Sequence, residues 1–373
     1  MTAYLDYNAT APVRAQVAQA MSEALALGGN ASSVHSRGRD ARRVVEEARE
    51  KVAALLGARP AEVIFTGSGA EANNLALRGV SADHVAVSAV EHDSVLQAAP
   101  TAKRLGVDAD GRLNLGELES FLSKTDGTAH VSVMAANNET GVLQPIAEVA
   151  ALVREHYALL HVDAVQAAGK IDISRNAIDA DLMTVSAHKL GGPQGVGALI
   201  IRDGMDLKPL VKGGGQERSR RAGTENVAGI AGFGVAAELA LNELDQTDRI
   251  TALRDTLETE IKTIAPDARM LGASAPRLVN TACLIMPGVS AESQIMSLDL
   301  AGVMVSAGSA CSSGKVTTSH VLSAMGLSIE EGNTAIRVSL GWASTEADVD
   351  AFLNAWGDLY QRTRKQELEA SAA

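Results

Sequence analysis

Cysteine is scarce in this chain: Cys283 and Cys311 are the only thiols among 373 residues. That count excludes a disulfide scaffold and suits a protein with reduced thiols. Aromatic residues make up 3% of the sequence, too few to stack nucleic-acid bases. Basic charge is also short. The 33 Lys and Arg face 45 Asp and Glu, and the formal charge of -12 argues against a polyanionic partner. No apolar run approaches the roughly 20 residues of a membrane span. The opening Met1-Thr2-Ala3-Tyr4-Leu5-Asp6 lacks the basic start and apolar run of a signal peptide. The two cysteines lie far apart and no histidine-glutamate helix motif occurs, so no metal site is expected. The expectation is a cytoplasmic protein that engages neither nucleic acid nor membrane.

What is present is a large supply of core material. The hydrophobic fraction is 46%, and the length suits two domains or one large domain with an appendage. Short Val- and Ile-rich runs at 63–65, 84–88, 130–134, 159–162, 182–186 and 197–201 predict strands. Amphipathic stretches such as 39–56 and 146–157 lie between them and predict helices. Such alternation implies an α/β fold, with a mostly parallel sheet flanked by helices. A long helical segment around 236–264 then breaks the pattern. Strands at 278–286, 303–305 and 336–340 and helices at 290–300 and 346–364 predict a smaller α+β domain. The expected division is a large domain over 13–250, with 1–12 and 251–373 forming the small one.

Several motifs fall at predicted strand ends, where open α/β sheets bind ligands. Ser186-Ala187-His188-Lys189 closes one buried strand. A lysine in partly dry surroundings loses its proton readily and becomes a nucleophilic amine; the alternative is a solvated turn lysine. Phe65-Thr66-Gly67-Ser68-Gly69-Ala70-Glu71 joins a strand to a helix starting near Ala70, and either its backbone amides suit a phosphate or it is a tight turn with an ordinary N-cap. Asp163 follows another strand and either pairs with a cationic ring nitrogen or caps a helix. Asn137-Asn138 presents amides or forms a polar turn. His92 suits ring stacking or proton exchange. Thr224 precedes an apolar helix and serves as an N-cap or a phosphate ligand. Arg337 interrupts an apolar strand, so it grips a carboxylate ligand or satisfies an internal acid. Cys311 sits among small residues, Ser309-Ala310-Cys311-Ser312-Ser313-Gly314, which favours reactivity over packing. Cys283 reads as a small core residue.

Taken in order, these motifs resemble the NifS/IscS-like cysteine desulfurases, a class-V branch of the fold-type-I pyridoxal-phosphate enzymes. The resemblance runs from Tyr4-Leu5-Asp6-Tyr7-Asn8-Ala9-Thr10-Ala11-Pro12 to Arg337-Val338-Ser339-Leu340-Gly341 and covers nearly the whole chain. It implies a PLP-dependent transferase in which Lys189 carries the cofactor and Asp163 pairs with its ring nitrogen. Gln166 and Asn138 would donate near the ring oxygen, and His92 would stack on the ring and move protons. Gly69, Ala70, Ser186 and His188 would hold the phosphate, with Thr224 reaching in from the other subunit of a homodimer. Arg337, helped by Asn8 and Asn138, would grip the carboxylate of L-cysteine. Cys311, on a long loop, would take the sulfur as a persulfide, releasing L-alanine.

The sulfur would then pass to an acceptor or iron-sulfur scaffold protein; tRNA thiolation is another destination. Selenocysteine lyase, aminotransferase and non-catalytic protein are the competing readings. One position departs from the family pattern. Ala70 stands where a threonine hydroxyl commonly meets the phosphate.

Overall fold

The computed structural model describes residues 2–245, 247–307 and 319–372. Its frame is a seven-stranded sheet in the order Val63–Thr66, Gly197–Ile201, Leu182–Ser186, Leu159–Asp163, Ala129–Met134, His84–Ser88, Lys103–Leu105. Only Gly197–Ile201 runs against the others. Four of the strands are buried at every residue, as expected for a sheet covered on both faces. Each apolar run predicted in this region forms a strand. The edge strand Lys103–Leu105 was not predicted, because three residues with two cations carry no apolar period.

The helices that cover the sheet follow their apolar spacing. Ser36–Leu55 buries Ala41, Val45, Ala48 and Val52, at intervals of three and four residues, in the large core. The stretch expected as one helix over 236–264 is two: Val227–Asn242 and Asp248–Ile264. The break has a packing cause. The first helix buries Phe233, Ala236 and Ala237 in the large core, whereas the second buries Leu253, Leu257 and Ile261 in a separate one.

That second core lies under an antiparallel sheet ordered Ser306–Ala307, Ala335–Ser339, Thr281–Ile285, Arg269–Met270. The chain's start joins it. Ala3–Tyr4 pairs in parallel with Val303–Met304, Asp6 bridges to Ser339, and Leu5 is buried among the same side chains. Residues 6–9 therefore emerge from the second core beside the strand ends of the large sheet.

Candidate active site

The six co-directed strands end on one side of the large sheet, and the loops beyond them wall a cavity of about 330 Å³. Asn8, Gly69, Ala70, His92, Asn138, Asp163, Gln166, Ser186, His188, Lys189 and Arg337 all line it. Strand Leu182–Ser186 continues into a short 3-10 turn, Ala187–Lys189, which brings the Lys189 amine back to the N-terminal segment. There it donates to the carbonyls of Asn8 and, at 2.8 Å, Ala9. Burial first, then the nearby Arg337 cation, push its pKa down to about 8, against the opposing pull of Asp6 and Asp163. His188, hydrogen-bonded to the Thr10 hydroxyl at 3.2 Å, is pushed down to about 4 by burial and by Lys189, so it is neutral near pH 7.

Asp163 sits at the end of its strand with both oxygens engaged. Val165 N–H donates to Oδ1 at 3.0 Å and Asn73 Nδ2 to Oδ2 at 2.7 Å. Behind it, Glu91 is fully buried, and burial and the charge of Asp163 hold its pKa well above the usual carboxylate range. His92 caps the short helix Asp93–Leu96 at the cavity rim, its Nδ1 accepting from Ser94 N–H at 3.1 Å.

At the other wall, Ser68 caps helix Gly69–Gly79 through a 3.1 Å bond that its hydroxyl oxygen accepts from Glu71 N–H. A Cβ on Gly69 would come within 3.1 Å of Val165 Cγ2 and 3.3 Å of Ser186 Cβ, so only a glycine leaves this helix start free against the neighbouring strand ends.

Arg337 lies opposite. Its Nη2 donates to Asp6 Oδ1 at 2.7 Å and its Nη1 to the Asn138 carbonyl at 3.0 Å, while Nε is buried without a partner among the described residues. Of the two expectations for this strand arginine, the structure realises pairing with an internal acid, and the side chain also lines the cavity. Asn137 forms the polar turn expected of it, accepting from Glu139 and Thr140 N–H at 2.9 and 3.0 Å. Asn138 is thereby turned to the cavity. Cys283 is fully buried, and burial pushes its thiol up to about 12, which makes it inert.

The comparisons bear on this arrangement over almost its whole length. Residues 3–352 match the aminotransferase class-V family. The cysteine desulfurase IscS of Dictyoglomus turgidum is 42% identical over 376 residues, covering 97% of this chain and 95% of that one. The chain belongs to the aminotransferase class-V family. Within this family of pyridoxal-phosphate enzymes it also matches the IscS-like cysteine desulfurase of Mycobacterium tuberculosis, 40% identical over all of this chain and 99% of that protein. Among solved structures, a NifS-like protein from Rickettsia africae superposes with a TM-score of 0.90 at 35% identity, covering 97% of this chain and 100% of that one.

One expected site residue stands apart from this cavity. Thr224 lines a separate space of about 170 Å³ with Gly67, Glu217 and Arg221. It is not the N-cap expected of it. Asn226 caps Val227–Asn242, accepting from Gly229 N–H at 3.0 Å, because it immediately precedes the first helical residue. Cys311 lies outside the described residues. Conversely, Asp6, Asn73, Lys170 and Ser306 take part in the site or its support and were not singled out from the sequence. Their partners lie far along the chain, and no local pattern marks them.

Proposed function

We propose that this chain is a PLP-dependent cysteine desulfurase that converts L-cysteine to L-alanine and passes the sulfur to an acceptor protein. The observation that carries the reading is the Lys189 amine, its pKa lowered to about 8, sharing one cavity with Asp163, His92 and Arg337. The residues fit the cofactor. Gly69 leaves a cradle at a helix N-terminus that a Cβ would fill, suited to a phosphate, and Lys189 offers an amine to an aldehyde. When bound, pyridoxal phosphate supplies an electron-poor ring that accepts the electron pair left after α-proton removal from an amino acid.

In this reading Lys189 would hold the cofactor and would take the substrate's α-proton, with His92 as the other proton carrier. Asp163 would pair with the ring nitrogen, and Asn73 holds that carboxylate in place. Gln166 and Asn138 would donate near the ring oxygen. Gly69, Ala70, Ser186 and His188 would take the phosphate, and Thr224 would do so in the neighbouring subunit of a homodimer. Arg337 would bind the substrate carboxylate, assisted by Asn8 and Asn138. The Cys311 thiolate would attack the substrate sulfur, the bond from sulfur to the β-carbon would break with its electron pair left on carbon, and protonation of that carbon would give the methyl group of L-alanine while a persulfide remains on Cys311. Residues 13–250 act as the cofactor-binding unit, and 1–12 with 251–373 as the unit that carries the cysteine loop.

Iron-sulfur assembly in the cytoplasm is the proposed destination of the sulfur, in line with the IscS names of the relatives. Lys189→Ala should abolish both cofactor absorption and alanine formation. Cys311→Ser should retain the absorption and lose sulfide release. A serine variant releasing sulfide at the wild-type rate would refute the persulfide route, and a wild-type protein that takes up no pyridoxal phosphate would refute the reading altogether.

A further inference from the structure

A second lysine supports the site from behind. Lys170 stands four residues after Gln166, beyond Gly169, whose φ of 70° lies in the left-handed region. A Cβ on Gly169 would come within 2.8 Å of both Ala240 Cβ and Leu190 Cδ2, so the turn is pressed against its neighbours and leaves no room for another residue. Past it, Lys170 Nζ donates to Gln166 Oε1 at 2.9 Å and to Asn8 Oδ1 at 3.4 Å. Both partners are neutral amide oxygens. Burial, then the Lys189 and Arg337 cations, push the Lys170 pKa down to about 7.

The direction of these bonds has a consequence for Gln166. An ammonium only donates, so protonated Lys170 selects the amide oxygen as its partner, whereas a neutral amine can also accept. The Gln166 amide therefore turns its oxygen to Lys170, which leaves its NH2 group on the other side. There Nε2 donates to the Asn8 carbonyl at 3.0 Å, the same carbonyl that receives the Lys189 amine. The Asn8 side chain is held too, since Oδ1 also accepts from Asn280 Nδ2 at 3.1 Å. The amide is thus fixed at both ends, its oxygen by Lys170 and its NH2 group by the Asn8 carbonyl, and loss of Lys170 leaves it one anchor of the two.

We propose that Lys170 is a positioning residue: it holds the Gln166 amide with its NH2 group toward the cavity and ties Gln166 and Asn8 to Lys189 in one network. The inference rests on the desulfurase reading of the cavity and adds a residue to it.

The test uses the full-length enzyme loaded with pyridoxal phosphate. Lys170→Met keeps the aliphatic stem and removes the donor. It should shift the visible absorption maximum and lower kcat about tenfold, with KM for cysteine little changed. Gln166→Leu should shift the maximum in the same way, and the double variant should be no worse than the more impaired single one, since both act through one amide. Lys170→Arg, which keeps a donor, should move the maximum back toward wild type. If Lys170→Met does not accumulate, Lys170→Gln takes its place in the same cycle. An unshifted maximum, or fully additive effects in the double variant, overturns the proposal while leaving the wild-type absorption and turnover, and so the site reading, intact. A wild-type protein without that absorption would instead refute the site reading.

Discussion

Asn73 Nδ2 donates to Asp163 Oδ2 at 2.7 Å and to Ser94 Oγ at 2.9 Å, and that hydroxyl lies 2.7 Å from His92 Nδ1. One amide thus connects the carboxylate at the strand end to the imidazole at the cavity rim. Asn73 is buried, and its Oδ1 has no partner among the described residues, where the side chain is held by its donors.

Asn73→Ala removes both donors. Asp163 then loses one of its two fixed partners, and the His92–Ser94 pair loses its anchor. Cofactor retention should fall about tenfold, the scale expected when a partner behind a ligating group is lost. Equilibrium dialysis followed at the cofactor's absorption measures this. Retention equal to wild type would mean that Asp163 is held without Asn73.

The lowered pKa of Lys189 predicts the pH dependence of its reactivity in the cofactor-free protein. With a value of about 8, half of the amine is neutral at that pH, against roughly one part in 300 for an unshifted lysine. Aldehyde attachment, trapped by borohydride and mapped to Lys189, should be half-maximal near pH 8. A midpoint near that of free lysine would contradict the burial argument. The sign for stability follows from the same shift. The unfolded chain binds the proton more tightly, so this group destabilises the fold at pH values below about 8. The penalty is relieved as pH rises from there toward the unfolded value.

The glycine- and arginine-rich segment around 213–226 is pinned at Glu217. Its carboxylate receives Arg49 Nη1 and Nη2 at 2.8 and 2.9 Å and Phe65 N–H at 3.0 Å, with both charged side chains buried. Glu217 adopts a φ of 45°, which the ion pair must hold against steric strain. Glu217→Ala should cost about 3 kcal/mol, because buried Arg49 loses its bidentate partner and keeps only Glu46 at 3.2 Å and the Val63 carbonyl. Urea denaturation would measure it. A loss below about 1 kcal/mol would show that solvent reaches Arg49 freely.

Ala70 lines the cavity at the start of helix Gly69–Gly79, with its side chain exposed. Ser68, two residues earlier, uses only an acceptor lone pair in the helix cap and also lines the cavity, so a threonine at 70 would add a second hydroxyl beside it. Ala70→Thr should therefore tighten pyridoxal-phosphate binding. One added hydrogen bond to a charged group contributes about 1.5–3 kcal/mol, or at least tenfold in affinity. Titration of the cofactor-free protein would test this, and an unchanged affinity would count against a phosphate at this helix end.

The parts of the site that were legible in the sequence are those written in consecutive residues. Apolar runs identify the strands, and a strand end followed by Asp163, Asn138, His92 or Lys189 places those groups on one side of a parallel sheet. Gly69 and Ala70 were legible for the same reason. Lys103–Leu105 and the break after Asn242 were not, because a three-residue edge strand and a change from one core to another leave no periodic trace.

What the sequence alone determined, then, was the α/β alternation, the family motifs and Lys189 as the candidate reactive amine. Tertiary structure decided which groups control that amine. Arg337 meets Asp6 across 331 positions and Asn73 meets Asp163 across 90, while Lys170 reaches Asn8 over 162. Such pairings arise only when two separately cored sheets bring the start of the chain to the strand ends. Burial there lowers the Lys189 pKa, and no local spacing in the sequence encodes that environment.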